Sequence, residues 1–205
     1  MRTVLAAALA FTAVIAALSL ATDGFEAFTT ESARRLEVMR SPRRLPDVLL
    51  EDQAGRRFRL SDLRGRPVVV EFIYTRCTSY CVALGNAFQQ IQRAVLKDGL
   101  QVSLLSVSFD PDHDSVPRLA AYARRYGAQA RLWRVARPVH PAALEALLDA
   151  CGVKVISDGL GGYTHNAAIL LVGPRGRLLH IYDWDAAKAA LRGARRAALR
   201  GAQTS

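Results

Sequence analysis

The run Val68–Tyr74 constrains the fold more than any other stretch of the chain. It is apolar and β-branched in character, short, and introduced by Gly65-Arg66-Pro67, so it reads as a strand covered on both faces. The chain then meets Cys77 and enters a helix expected from about Cys81 to Lys97. There Leu84, Phe88, Ile91 and Val95 recur at three- and four-residue steps, and Gly99 is suited to stop the helix. A central strand thus delivers two cysteines to the start of a helix.

Further strands and helices follow in alternation. Val102–Phe109 is a second buried strand, ended by Asp110-Pro111, and Ser115 is positioned to cap a helix that runs to Tyr126 and stops at Gly127. Arg131–Val135 reads as a short edge strand. Pro141–Ala150 reads as a helix, with Pro141 in its first turn. After a glycine-rich loop (Gly159, Gly161, Gly162), strands Ala167–Val172 and Arg177–Tyr182 are joined by Gly173-Pro174-Arg175-Gly176. A last helix is expected over Asp185–Leu199. Upstream, Asp47–Leu50 and Arg57–Leu60 flank the turn-forming group Asp52-Gln53-Ala54-Gly55 and predict a hairpin. The sequence therefore predicts one three-layer α/β domain over residues 45–205.

The N-terminal residues bear on the compartment. Arg2 precedes Val4–Ala21, which carries no charge, and Ser19-Leu20-Ala21 offers the small residues a signal peptidase needs. A run of that length also reaches the lower limit for spanning a bilayer, so residues 1–21 are expected to be a signal peptide or a signal anchor. Residues 22–44, polar and rich in arginine, read as a linker. In either case the remainder is expected outside the cytoplasm. A net charge of +10 favours acidic partners, including anionic lipid headgroups. The chain has no zinc-finger spacing and no aromatic-rich basic strand, and nucleic acid is not among its expected partners.

Cys77, Cys81 and Cys151 are too few, and odd in number, for a disulfide framework. In an oxidising compartment the close pair is either a disulfide or a metal site. Four-residue spacing puts two side chains on one helix face with Cβ atoms about 5–6 Å apart, which suits two thiolates converging on an ion and also permits a disulfide. A helix N-terminus is expected to lower the thiol pKa. Cys151, in Leu147-Leu148-Asp149-Ala150-Cys151, reads as a small buried residue. Of the four histidines, His165 follows Gly161-Gly162-Tyr163-Thr164 directly before a buried strand, from where a side chain can enter a cleft. His180 reads as structural, and His113 and His140 as loop or cap residues.

These pieces resemble the Sco/SenC family of copper-binding, thioredoxin-like proteins. The resemblance rests on Phe72-Ile73-Tyr74-Thr75-Arg76-Cys77, Cys81, Ser106-Val107-Ser108-Phe109-Asp110-Pro111-Asp112-His113-Asp114, Tyr163-Thr164-His165 and Leu171-Val172-Gly173-Pro174-Arg175-Gly176. It covers roughly residues 45–184. It implies a thioredoxin-like domain with a mixed central sheet, and a copper ion held by Cys77, Cys81 and His165. It further implies a role in building the CuA centre of cytochrome c oxidase at the periplasmic face of the bacterial inner membrane. The implied partner is the copper-site subunit of that oxidase or another exported copper protein, with the N-terminal segment attaching the chain to the membrane. By the same resemblance, His165 falls where ordinary thioredoxins carry a cis-proline beside their cysteines.

The chemistry of the donors agrees. Thiolates are soft and suit Cu(I), imidazole tolerates both copper oxidation states, and a structural zinc site would normally want a fourth ligand. The chain departs from the family pattern at Thr78, Ser79 and Val82, where many members carry proline or an acidic residue, and at Thr164, which replaces a frequent acidic neighbour of the histidine. Three activities compete: a copper metallochaperone, a thiol–disulfide oxidoreductase cycling Cys77 and Cys81 to reduce a client's cysteines, and a redox sensor. The chain is not expected to be a conventional enzyme.

Overall fold

In the computed structural model, which describes residues 2–77 and 80–202, the chain forms two compact units that divide between Ser41 and Pro42. The first holds α1 (Arg2–Ala21) and α2 (Thr30–Arg40). Helix α1 is long and apolar enough to cross a membrane. Helix α2 was not expected, since residues 22–44 read as a linker. It has no apolar stripe to betray it. It is held by a cap, Thr29 Oγ1 accepting the Ser32 N–H at 3.0 Å, and by Glu31, which pairs with Arg34 and Arg35 three and four residues on.

The second unit contains β1 (Arg43–Arg44), β2 (Leu49–Asp52), β3 (Arg57–Arg59), β4 (Val68–Ile73), α3 (Tyr80–Lys97), β5 (Ser103–Ser108) and α4 (Val116–Tyr126). It continues with β6 (Trp133–Pro138), α5 (Pro141–Cys151), β7 (Val155–Ser157), β8 (Tyr163–His165), β9 (Ala168–Val172), β10 (Arg177–Asp183) and α6 (Ala187–Ala202). Eight strands make one sheet in the order β1-β10-β9-β4-β5-β6-β2-β3, and β7 and β8 form a separate hairpin. Strands β4, β5 and β6 are mutually parallel, whereas β9 joins β4 and β2 joins β6 in antiparallel fashion. The sheet is mixed.

Every residue of β4 and β5 is buried, and because alternate side chains point to opposite faces, both faces must be covered. The β4–α3–β5 and β5–α4–β6 crossovers share one hand, which puts α3 and α4 on the same side. There the Phe88 ring packs on Trp133 with centroids 5.6 Å apart, and Gly85 is needed because a Cβ would come within 2.5 Å of the Tyr126 ring. Helix α6 also packs on α3, and α5, lying against β6, is left to cover the other face. The layers are those expected.

The segment predicted as an edge strand, Arg131–Val135, instead becomes β6, an interior strand. The N-terminal hairpin extends the sheet beyond it, pairing Leu50 with Pro138 and Asp52 with Ala136, and Gln53 Oε1 accepts the Val135 N–H at 2.8 Å. The hairpin turn is held by Asp52, whose carboxylate accepts the N–H groups of Ala54 and Arg56. Ser115 occupies the position before α4 but makes no side-chain cap. Gly127 ends that helix at φ 63° as its sequence position requires.

Candidate metal centre

Strand β4 ends at Ile73, and the chain turns through Tyr74-Thr75-Arg76 to reach Cys77 before α3 begins. Cys77 therefore lies ahead of the helix, whose start near Cys81 is as expected, so the two cysteines do not share a helix face. Its Sγ accepts the Cys81 N–H at 3.4 Å and so satisfies one of the donors that every helix start leaves open. Both thiols are buried. Thr78 and Ser79, two of the departures noted in the sequence, lie outside the described residues.

His165 is not in a loop. It ends β8, paired across the hairpin with Val155. Asp158 shapes the hairpin tip by accepting the N–H groups of Leu160 and Gly162, each at 2.8 Å. Asn166 pins the base, donating to the Gly152 carbonyl at 3.0 Å and accepting the Lys154 N–H at 2.7 Å. The result brings His165 Nε2 to 4.0 Å from Cys81 Sγ, across 84 residues of sequence.

Burial holds the His165 pKa below its ordinary 6.5, opposed by the nearby Cys77, so the imidazole is neutral at pH 7 and free to donate a lone pair. The Cys81 thiol is pushed well above its ordinary 9.0, first by its hydrogen bond with Cys77 and then by burial. That reverses the lowering expected from the helix start. A low-dielectric site beside a second sulfur outweighs the partial charge of the helix end. The thiolate at Cys81 thus needs a cation to hold it.

With metal–ligand bonds of about 2.0–2.3 Å, two ligands of one ion stand roughly 3.5–4 Å apart, so the Cys81–His165 separation fits a shared metal. Among the described residues no three His, Cys, Asp or Glu side chains are already closed around a common point. His165 Nδ1 is buried without a hydrogen-bond partner. A metal-ligating histidine ordinarily donates that second N–H to an oxygen, so this ring is oriented by packing instead. Phe109 lies edge-on to it with centroids 5.0 Å apart.

A shell of hydrogen bonds and rings surrounds the site. Fully buried Asp114 accepts the Thr75 N–H at 3.0 Å and the Thr75 and Ser108 hydroxyls at 2.5 Å each, fixing the turn before Cys77 to the end of β5. Asp110 accepts from Arg76 at 2.8 Å, is bonded to His113 at 2.8 Å and accepts the Tyr163 hydroxyl at 3.3 Å. Burial alone would raise its pKa, but the bonds from Arg76 and His113 more than offset that and hold it low. Tyr74, Phe109 and Tyr163 pack as a triangle of rings with centroids 5.2–5.5 Å apart, and Tyr74 Oη accepts the Tyr163 N–H at 3.4 Å. One wall of the site is thus aromatic and joins both cysteine turn and histidine hairpin.

A family model described as SCO1/SenC matches residues 45–199. The chain belongs to that family. A relative, the SCO1 protein homolog of Bacillus subtilis, is 24% identical over 135 residues, covering 65% of this chain and 70% of its own. Among solved structures, BsSco, described as a member of the Sco family of cytochrome c oxidase assembly proteins, superposes with a TM-score of 0.69 at 20% identity. That match covers 78% of this chain and 95% of that one. Bradyrhizobium japonicum ScoI with copper bound superposes with a TM-score of 0.61 at 24% identity, covering 73% and 98%. The α/β domain of this SCO1/SenC chain is thioredoxin-like.

Other candidates from the sequence fall elsewhere. Cys151 ends α5 and is buried, and His180 packs at a tilt against Tyr182 in β10 with centroids 4.1 Å apart. His140 precedes α5 without capping it, whereas His113 is tied to Asp110. One residue escaped the sequence reading altogether. Glu71, in the middle of β4, is fully buried, accepts the Ser106 hydroxyl at 2.5 Å and leaves Oε2 without a partner. Desolvation pushes its pKa up to about 8, so it sits neutral in the core at pH 7. A charged residue inside an otherwise apolar strand was the available signal.

Proposed function

We propose that this chain receives a copper ion in Cys77, Cys81 and His165 and passes it to the CuA centre of a cytochrome c oxidase. The observation that carries this reading is the approach of His165 Nε2 to Cys81 Sγ, a borderline and a soft donor brought together across 84 residues of sequence. Copper is the cargo. Two sulfurs and one imidazole hold it while leaving a coordination position open for an incoming ligand of the recipient. The buried aromatic wall excludes competing hydroxide. The chain acts on the exported side of a membrane, at the periplasmic face of the bacterial inner membrane, tethered by α1 or released from it. Its partner is the copper-site subunit of the oxidase or another exported copper protein.

The hydrogen bond between Cys77 Sγ and the Cys81 N–H favours a second reading, thiol–disulfide exchange, because it holds the two cysteines close. Host strains separate the two. If copper delivery is the task, Cys77→Ser, Cys81→Ser and His165→Ala each lower oxidase activity at matched protein levels. Added copper rescues His165→Ala better than the cysteine variants. Wild-type oxidase activity in the His165→Ala strain under copper limitation would transfer the assignment to the reductase, since a disulfide needs only two sulfurs.

A further inference from the structure

Between β10 and α6 lies a groove of about 720 Å³, lined by none of the residues of the copper site. Its floor is apolar, with Leu171, Pro174 and Leu179 contributed by β9, the following turn and β10. Helix α6 keeps it open. Ala189, Gly193, Ala197 and Gly201 recur every four residues along the groove, and a Cβ at Gly193 would collide with Tyr182 Oη. Beside that small-residue line runs a second one of Arg192, Arg196 and Arg200, again one per turn, while Arg175 and Arg177 stand on the β9–β10 side. Five guanidinium groups therefore rim an apolar trough, that of Arg177 already donating to the Pro42 carbonyl, and among the described residues no acidic side chain lines it. Arg175, Arg192 and Arg196 are exposed and make no ion pair with an acidic side chain among the described residues.

We infer that this groove binds anionic phospholipid at the membrane surface, the guanidinium groups taking the phosphate and the trough taking the adjoining apolar part. Both halves of the chemistry are required. Guanidinium groups match phosphate oxygens in pairs, and the volume lies within the range of roughly 300–1,000 Å³ that small amphiphiles fill. A free phosphate would leave the apolar floor wet. An acidic peptide would engage the rim without needing the trough. The same chain carries α1, a helix long and apolar enough to cross a membrane, and a net charge of +10 that draws it to an anionic leaflet.

The test uses the full-length protein in nanodiscs of phosphatidylcholine alone or with phosphatidylglycerol added. The extent of phenylglyoxal modification at each arginine is read by mass spectrometry. Phosphatidylglycerol is expected to slow modification of Arg192 and Arg196 about fivefold or more, while Arg118 and Arg124, exposed on α4, change less than about twofold. In the R192A/R196A variant the protection of Arg175 should disappear. Equal protection at Arg118 and Arg124 would reduce the effect to diffuse charge attraction and overturn the inference. So would equal protection by inorganic phosphate in phosphatidylcholine discs, or protection by an oligoglutamate peptide where phosphatidylglycerol gives none.

Discussion

Asp114 receives both the main-chain N–H and the hydroxyl of Thr75, two residues before Cys77. A carboxylate at the far end of the Asp-Pro-x-x-Asp segment thereby sets where the first cysteine stands. The Asp114→Ala variant strands the Thr75 N–H and the Ser108 hydroxyl in a buried place, so a stability loss of about 3 kcal/mol is expected from urea denaturation. Cu(I) affinity should fall with it. A variant with unchanged affinity and unchanged stability would remove Asp114 from this role.

Tyr163 divides its work between a hydrogen bond and its ring. Tyr163→Phe keeps the ring triangle and loses only the bond to Asp110, at a cost of about 1 kcal/mol or less. Tyr163→Ala opens the aromatic wall beside His165 and should weaken Cu(I) binding much more than the phenylalanine variant does. Competition against a Cu(I) chelator measures both, and equal losses would contradict an aromatic role.

Glu71 gives a pH signature to stability. Its folded-state pKa of about 8 lies above the ordinary 4.5 that applies to the unfolded chain. The favourable contribution of the neutral form is whole below pH 4.5 and is lost as pH rises through about 8, at a slope of up to about 1.4 kcal/mol per pH unit. Glu71→Gln should flatten that slope. Denaturation of both proteins in the reduced state at several pH values between 5 and 8 checks it. Parallel curves would mean that Glu71 is not buried as a neutral acid.

Oxidation should join Cys77 to Cys81 and leave Cys151 outside any disulfide. The two site cysteines already share a hydrogen bond, whereas Cys151 is enclosed at the end of α5. Alkylation followed by non-reducing peptide mapping reads the pairing directly, and any bridge containing Cys151 would contradict it.

Much of this architecture was legible in the sequence for simple reasons. Val68–Tyr74 and Val102–Phe109 are apolar enough to be buried strands in any context, and the helical spacing of Leu84, Phe88, Ile91 and Val95 is unambiguous. Other parts depend on partners distant in sequence. Nothing local says that Arg131–Val135 gains a neighbour from the N-terminal hairpin, so it read as an edge. Strand β8, only three residues long, has no period to detect, and its glycine-rich approach looked like a loop until it paired with β7. The candidate ligands were named from residue type and resemblance, but the shell that positions them was not. Asp114 and Tyr163 entered only as pieces of the resemblance and Glu71 not at all; they act through contacts over 35 to 53 residues of sequence or through burial, and local spacing does not encode either.

The central claim is a single copper site built from three side chains, and anaerobic Cu(I) titration of the reduced full-length protein against a competing chelator tests it most directly. The account predicts one Cu(I) per chain, with His165→Ala binding at least about tenfold more weakly, since an imidazole ligand lost from a three-coordinate site removes more than about 1.4 kcal/mol. Equal affinity in wild type and His165→Ala would take the histidine out of the site and contradict the copper assignment.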